Sequence, residues 1–164
     1  MSQPQVELHI ANFGVVTLEL DAEKAPLSTA NFLAYVAKGH YDNTVFHRVI
    51  DGFMAQTGDV QYGKAGADTA MAGMGGSDLP DIPAEFSDIS FDRGIVGMAR
   101  SQDPNSANSQ FFIMFAPGSF LDGQYTVVGR VIAGMEVVDA IKKGAGGNGE
   151  VADPDRMEKV SVAP

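Results

Sequence analysis

The sequence predicts a mainly β fold, an antiparallel barrel or sandwich with two helices, and three observations predict it. Apolar and polar side chains alternate over several short runs, the period of a half-buried strand. Helical spacing of apolar residues occurs in only two places. Nineteen glycines and eight prolines punctuate the 164-residue chain, as a fold of many short strands and turns requires.

In chain order, Val6–Ile10 and Val16–Leu20 alternate strictly, and Ala11-Asn12-Phe13-Gly14 between them supplies turn chemistry, so they form a hairpin. The period then changes. Pro26 suits a first helical turn, and Ala30, Leu33, Ala34 and Ala37 recur at helical spacing, with Phe32, Tyr35 and Val36 widening the stripe. Gly39 after Lys38 stops this helix, predicted over 27–38. Val45–Ile50 reads as one strand, Asp51-Gly52 as a turn and Phe53–Thr57 as the returning strand. From Gly58 to Arg93 the chain is irregular and glycine-rich, which predicts long surface loops with a functional role rather than a second domain. Three further β-like runs follow at Gly94–Ala99, Gln110–Phe115 and Tyr125–Val131. A short helix begins at Met135 and ends near Gly144, and Glu158–Val162 closes the chain as a strand. About eight strands and two helices result, without a βαβ unit, a repeat or a dividing linker, so residues 1–164 are read as one domain.

Composition narrows the function. Eleven basic against 21 acidic residues give a formal charge of −10. Such a chain repels phosphate backbones and anionic head groups, which argues against nucleic-acid and membrane-surface partners. No apolar run approaches a bilayer span, and the first residues lack the basic and apolar regions of a signal peptide, so a soluble cytoplasmic protein is expected. The absence of cysteine excludes disulfides, thiol nucleophiles and thiolate zinc sites.

Several formal motifs carry no chemistry. Residues 144–149 match G-x-G-x-x-G, but these glycines follow a helix and precede a strand, the reverse of a dinucleotide turn. Gly73-Met74-Gly75-Gly76-Ser77 lacks the lysine of a phosphate loop. His9, His40 and His47 are not at metal-ligand spacing, and His47, on the opposite strand face from Arg48, is read as structural. No serine has a visible base partner, and Asp153 and Asp155 read as turn residues beside Pro154. Neither a metal nor a cofactor is expected.

One cluster stands out. Residues 46–59, Phe-His-Arg-Val-Ile-Asp-Gly-Phe-Met-Ala-Gln-Thr-Gly-Asp, bring a cation, an aromatic, a thioether and an amide into nine positions. Downstream come Gly94-Ile95-Val96-Gly97-Met98-Ala99, Ser109-Gln110-Phe111-Phe112-Ile113 and Phe120-Leu121-Asp122-Gly123. In this order the segments resemble the cyclophilin family of peptidyl-prolyl cis–trans isomerases, from about Val6 to Val162, and most of all its bacterial cytoplasmic members. The resemblance implies a closed eight-stranded antiparallel β-barrel capped by two α-helices. It also implies acceleration of rotation about X–Pro bonds, with proline-containing peptides and unfolded or folding proteins as partners, and a monomer.

That reaction breaks no covalent bond. Amide resonance sets a barrier of roughly 18–20 kcal/mol; in the twisted transition state resonance is lost and the proline nitrogen regains a lone pair. Catalysis then needs a pocket for the ring, a donor aimed at that nitrogen and grips on the flanking backbone. A guanidinium keeps its proton and offers several N–H groups in fixed geometry, so Arg48 is the natural donor. By resemblance Gln56 orients Arg48, and Phe53, Met54, Phe112 and Leu121 line the proline pocket with Phe120 beside it and Tyr125 at its edge. The main chain at Arg100, with Ala99 and Gln110, holds the residues before the proline. Phe120 stands where many eukaryotic members carry Trp, and loss of the indole N–H implies weak cyclosporin binding with catalysis kept. Tyr125 replaces a common His, Arg100 a common Asn and Asp51 a common Pro, while the loop at Asp103-Pro104 is one residue longer. Two other classes compete: a proline-peptide binding module without turnover, and a barrel holding a small molecule inside.

Overall fold

The computed structural model describes residues 3–66, 71–77, 79–144, 149–151 and 154–163. The glycine motif at 144–149 lies largely outside them, as does Asp153. The elements are β1 (Gln5–Ile10), β2 (Gly14–Leu20), α1 (Pro26–Ala37), β3 (Thr44–Val45), β4 (Arg48–Ile50), β5 (Met54–Thr57), β6 (Ile95–Met98), β7 (Phe111–Met114), β8 (Val127–Ala133), α2 (Met135–Ala140) and β9 (Arg156–Val162). A 3-10 turn at Ser119–Leu121 precedes β8.

All strands belong to one curled antiparallel sheet of order β3-β9-β1-β2-β8-β6-β7-β5-β4. The expected closed eight-stranded barrel is therefore corrected: the ladder has nine strands and two ends. The ninth arises because the run 45–50 divides. Thr44 and Val45 pair with β9, whereas Arg48–Ile50 pair with β5. Phe46 and His47 cross between these edges, so the two ends of the ladder are consecutive in the chain. The outer edge of β4 is also occupied, since the Val49 N–H donates to the Gly149 carbonyl and Val49's carbonyl accepts from Gly144.

Local chemistry accounts for the element ends. In the β1–β2 hairpin Ile10 faces Gly14, and Asn12 takes the left-handed conformation at φ 74° that its short polar side chain tolerates. Helix α1 ends in a Schellman motif. Gly39 (φ 70°) donates to the Val36 carbonyl and His40 to that of Tyr35, which satisfies two orphan carbonyls. The buried face of α1 is Ser28, Thr29, Phe32, Tyr35 and Val36 rather than the alanine stripe. The two aromatic rings have far more area to hide, so they choose the face, while Ala34 is half-buried and Ala30 and Ala37 turn outward at little cost. The helix N-terminus is capped from a distance: both Glu85 oxygens accept, from the N–H of Leu27 (3.0 Å) and of Ser28 (2.8 Å). Helix α2 is shorter than expected, ending at Ala140. No described helix is long and apolar enough to cross a membrane.

The period-2 alternation divides β5, β6 and β7 between two cores. Ala55, Val96, Met98, Phe111 and Ile113 face the interior with α1's Phe32 and the β1–β2 hairpin. Met54, Phe112 and Met114 face outward into a second cluster with Phe91, Leu121 and Val127. The second cluster is the floor of the candidate site, so the site lies on the outer face of the sheet and not inside its curl.

Candidate active site

Register alone assembles the first row of the site. Arg48 on β4 faces Gln56 on β5, Gln56 faces Phe112 on β7, and Phe112 faces Gly97 on β6. Cross-strand partners point to the same side, so a cation, an amide and an aromatic ring stand in line on the outer face. Gly97 completes the row by having no side chain. A Cβ there would lie 2.5 Å from Phe112 Cζ and 2.7 Å from Phe91 Cε2, in the space where those two rings stack at 5.8 Å.

The row borders a cavity of about 280 Å³ lined by Arg48, Phe53, Met54, Gln56, Ala99, Arg100, Phe112, Phe120, Leu121 and Tyr125. These are ten of the eleven residues singled out from the sequence. The eleventh, Gln110, lies one step away, bonded to Gln56 and lining a neighbouring cavity of about 510 Å³. Met54, Phe112 and Leu121 are buried, which makes the floor apolar. The Tyr125 ring meets Phe112 edge-on at 5.7 Å and 89°, while Phe53 packs against Phe120 at 5.5 Å. Phe120 itself is 71% exposed, an apolar lip rather than a floor. Asp122 fastens that lip. Its carboxylate accepts from the Phe91 N–H and the Ser90 hydroxyl, both at 2.7 Å, and these donors hold it below the ordinary carboxylate range.

A polar chain runs along the other wall. Arg48 Nη1 donates to Gln56 Oε1 at 3.3 Å, and Gln56 Nε2 donates to Gln110 Oε1 at 2.9 Å. Gln110 Nε2 then donates to the carbonyls of Gly73 and Gly75 at 3.0 and 2.9 Å. Behind Gln110 the fully buried Tyr41 hydroxyl donates to the Ser109 carbonyl at 2.7 Å, its phenol held well above the ordinary value by burial.

Arg100 does more than the sequence suggests. Its guanidinium lies 4.5 Å from the centre of the Tyr125 ring and donates to the carbonyls of Gln124 (2.7 and 3.1 Å) and Ser101 (2.8 Å). The side chain thus joins the loop after β6 to the corner before β8, and it braces the Tyr125 wall by a cation–π contact. The sequence assigns no role to Asn108 or Asp59, and the structure shows both holding the loop walls. Asn108 Oδ1 accepts from Ser77 N–H and hydroxyl at 2.8 and 2.7 Å, and its Nδ2 donates to the Leu79 carbonyl at 3.1 Å. No local pattern announces these Asn108 bonds, because each joins residues about thirty positions apart.

His47 sits buried under this loop, its ring where a Gly73 Cβ would come within 3.3 Å. Burial lowers its pKa below the ordinary 6.5, outweighing the opposing pull of Asp59, while the nearby Arg48 charge acts in the same direction as burial. The folded state therefore takes up this proton less readily than the unfolded chain. The resulting stability is complete above the unfolded pKa and is lost as pH falls below about 6.5. Thermal midpoints of the wild type are expected to drop between pH 7 and pH 5, and those of His47→Gln to drop less.

The apolar cleft, with a guanidinium on its wall, lies on the outer face of a curled antiparallel sheet. Comparison with known proteins identifies the class. The family described as cyclophilin type peptidyl-prolyl cis-trans isomerase/CLD matches residues 5–162. A Brucella suis protein named "Probable peptidyl-prolyl cis-trans isomerase" is 57% identical over 152 residues, covering 91% of this chain and 78% of the relative. An Arabidopsis thaliana peptidyl-prolyl cis-trans isomerase is 42% identical over 145 residues, 88% of this chain and 86% of the relative. Among solved structures, a cyclophilin type peptidyl-prolyl cis-trans isomerase of Cryptosporidium parvum superposes with TM-score 0.85 at 28% identity, covering 99% of this chain and 98% of the other. The structure of that protein in the presence of the dipeptide Ala-Pro gives 0.84 at 30% identity, covering 98% and 99%. This chain belongs to the cyclophilin-type peptidyl-prolyl cis–trans isomerases.

Proposed function

We propose that the chain catalyses X–Pro rotation by binding the twisted amide more tightly than either planar isomer, with Arg48 as the donor to the proline nitrogen. The observation that carries this reading is the placement of the Arg48 guanidinium on the wall of the apolar cavity, tied to Gln56 at 3.3 Å. In a planar amide the nitrogen lone pair is delocalised and accepts poorly. As the bond twists the lone pair localises, and the same N–H donor gains strength where the barrier lies, which is differential transition-state binding.

The remaining residues serve that step. The proline ring occupies the cavity floored by Met54, Phe112 and Leu121, with Phe53 and Phe120 at one lip and Tyr125 at the other. A tertiary amide ring has no N–H to satisfy, so an apolar floor costs it nothing. Gln56 orients Arg48 and touches the substrate backbone. Ala99, the Arg100 main chain and Gln110 hold the residues before the proline, which continue toward the neighbouring cavity. The Cryptosporidium relative studied with Ala-Pro supports proline-containing peptides as the substrate class, and unfolded or folding chains present the same bonds. Phe120 offers no N–H donor at the lip, so cyclosporin binds weakly.

The test is exchange NMR on an Ala-Pro peptide. Uncatalysed exchange takes tens of seconds or longer, and catalytic amounts of the protein are expected to bring cis–trans cross-peaks into the sub-second range. Saturable peptide binding with no acceleration would mark a binding module and overturn the proposal.

A further inference from the structure

The polar chain from Arg48 ends on the carbonyls of Gly73 and Gly75, and Asp59 holds the loop that presents them. Asp59 follows β5 and is fully buried. Its Oδ2 accepts from the N–H groups of Gly73 at 2.7 Å and Gly75 at 3.0 Å, and its Oδ1 from those of Gln61 at 3.0 Å and Tyr62 at 2.8 Å. Among the described residues it forms no ion pair. Four backbone donors take the place of a cation, each bond strengthened by the carboxylate's charge. The fit leaves no room for a side chain at Gly75, where a Cβ would lie 2.4 Å from Asp59 Oδ1 and 2.8 Å from both Gln61 Cβ and Tyr62 Cδ2.

The consequence is directional. A carboxylate only accepts, so the loop turns its N–H groups toward Asp59 and leaves the Gly73 and Gly75 carbonyls for Gln110. A carbonyl likewise only accepts, so Gln110 presents its NH₂ there and its oxygen to Gln56. Gln56 then spends its NH₂ on Gln110 and keeps its oxygen for Arg48. A primary amide by itself has two nearly isosteric orientations. Reversing Gln110 would set its oxygen against two carbonyl oxygens, and reversing Gln56 would set an NH₂ against the guanidinium. The acceptor at Asp59 therefore selects one orientation of both amides.

We propose that Asp59 is a positioning residue of the isomerase reaction: through the Gly73–Gly75 loop and the amides of Gln110 and Gln56 it sets the direction in which the Arg48 guanidinium is held. The proposal rests on the reading of Arg48 as the donor to the proline nitrogen. Because the apolar floor is untouched, loss of Asp59 acts on turnover more than on binding.

Asp59→Asn keeps the shape and replaces one accepting oxygen by a donor, so two of the four N–H groups lose their partner. The expected result is a fall in kcat on the order of 10- to 100-fold, the scale of a misplaced catalytic group, with a much smaller change in KM for the Ala-Pro peptide, since Gln56 and Gln110 also meet its backbone. The ¹⁵N resonance of the Arg48 side chain should move as well. Gly75→Ala breaks the same node from the loop side and should give the same split if Asp59→Asn does not fold. Adding Asp59→Asn to Arg48→Ala should cost no more than Arg48→Ala alone, since both act through one group. Wild-type kcat in either folded variant, or multiplied losses in the double variant, would overturn the positioning role. An inactive wild type would instead sink the assignment of Arg48's reaction, so the two failures are distinguishable.

Discussion

Arg48→Ala is expected to lower the isomerase rate by about 10²–10³ while leaving the fold and the affinity for an Ala-Pro peptide nearly unchanged. The size is that of losing one preorganised donor to a charge or lone pair that develops only in the transition state. The fold should survive because Arg48 is only half-buried and Gln56 beside it keeps its bond to Gln110. Arg48→Lys should recover little, since an ammonium on a flexible stem cannot span Gln56 and the substrate nitrogen with a rigid fork. Exchange NMR and peptide titration on the same samples separate turnover from binding. A rate within threefold of wild type would remove Arg48 from the mechanism.

Phe112→Ala is expected to be the most damaging change in the site for stability and binding together. The ring is buried, stacks on Phe91 at 5.8 Å, meets Tyr125 edge-on at 5.7 Å and fills the space that Gly97 leaves. Truncating a buried phenylalanine costs about 3–5 kcal/mol, because the wall around it relaxes only in part. For a chain of this length that amounts to a fall of roughly 10 °C in thermal midpoint. The proline cavity loses its floor as well, so KM should rise along with the loss of stability. Phe112→Leu should recover much of the midpoint and less of KM, since it restores volume but not a flat face. A normal midpoint in Phe112→Ala would show that the second core does not depend on this ring.

Much of the site was legible in the sequence. Arg48, Gln56 and Phe112 are grouped beforehand by the resemblance their segments carry, and the register of β4, β5 and β7 then sets the three on one face. Motif order from 46 to 123 supplied the lips and floor, and the structure places those residues around one cavity. The errors have physical causes. The run Val45–Ile50 carries one continuous β signal, yet its two halves serve different neighbours, and pairing partners are not written into a strand's own residues. In helix α1 the expected Phe32, Tyr35 and Val36 are buried, but Ala30 and Ala37 of the same stripe are exposed, because burial follows the area to be hidden as well as the spacing.

The segment between Thr57 and Ile95 shows the limit most clearly. Its described residues form no helix or strand, and their order comes from side chains that bind backbone groups far along the chain, Asp59 to Gly73 across 14 residues and Glu85 to Ser28 across 57. Nothing periodic marks such bonds. By itself the sequence supplied the strand and helix segments, since alternation is local, and its motifs supplied a family resemblance that implies which residues surround a cleft. Only the tertiary structure decided that the ladder has two ends joined by Phe46 and His47, that Arg100 braces Tyr125, and which way the amides of Gln56 and Gln110 point. Those outcomes depend on donors and acceptors that meet through space, and such meetings exist only once the chain has folded.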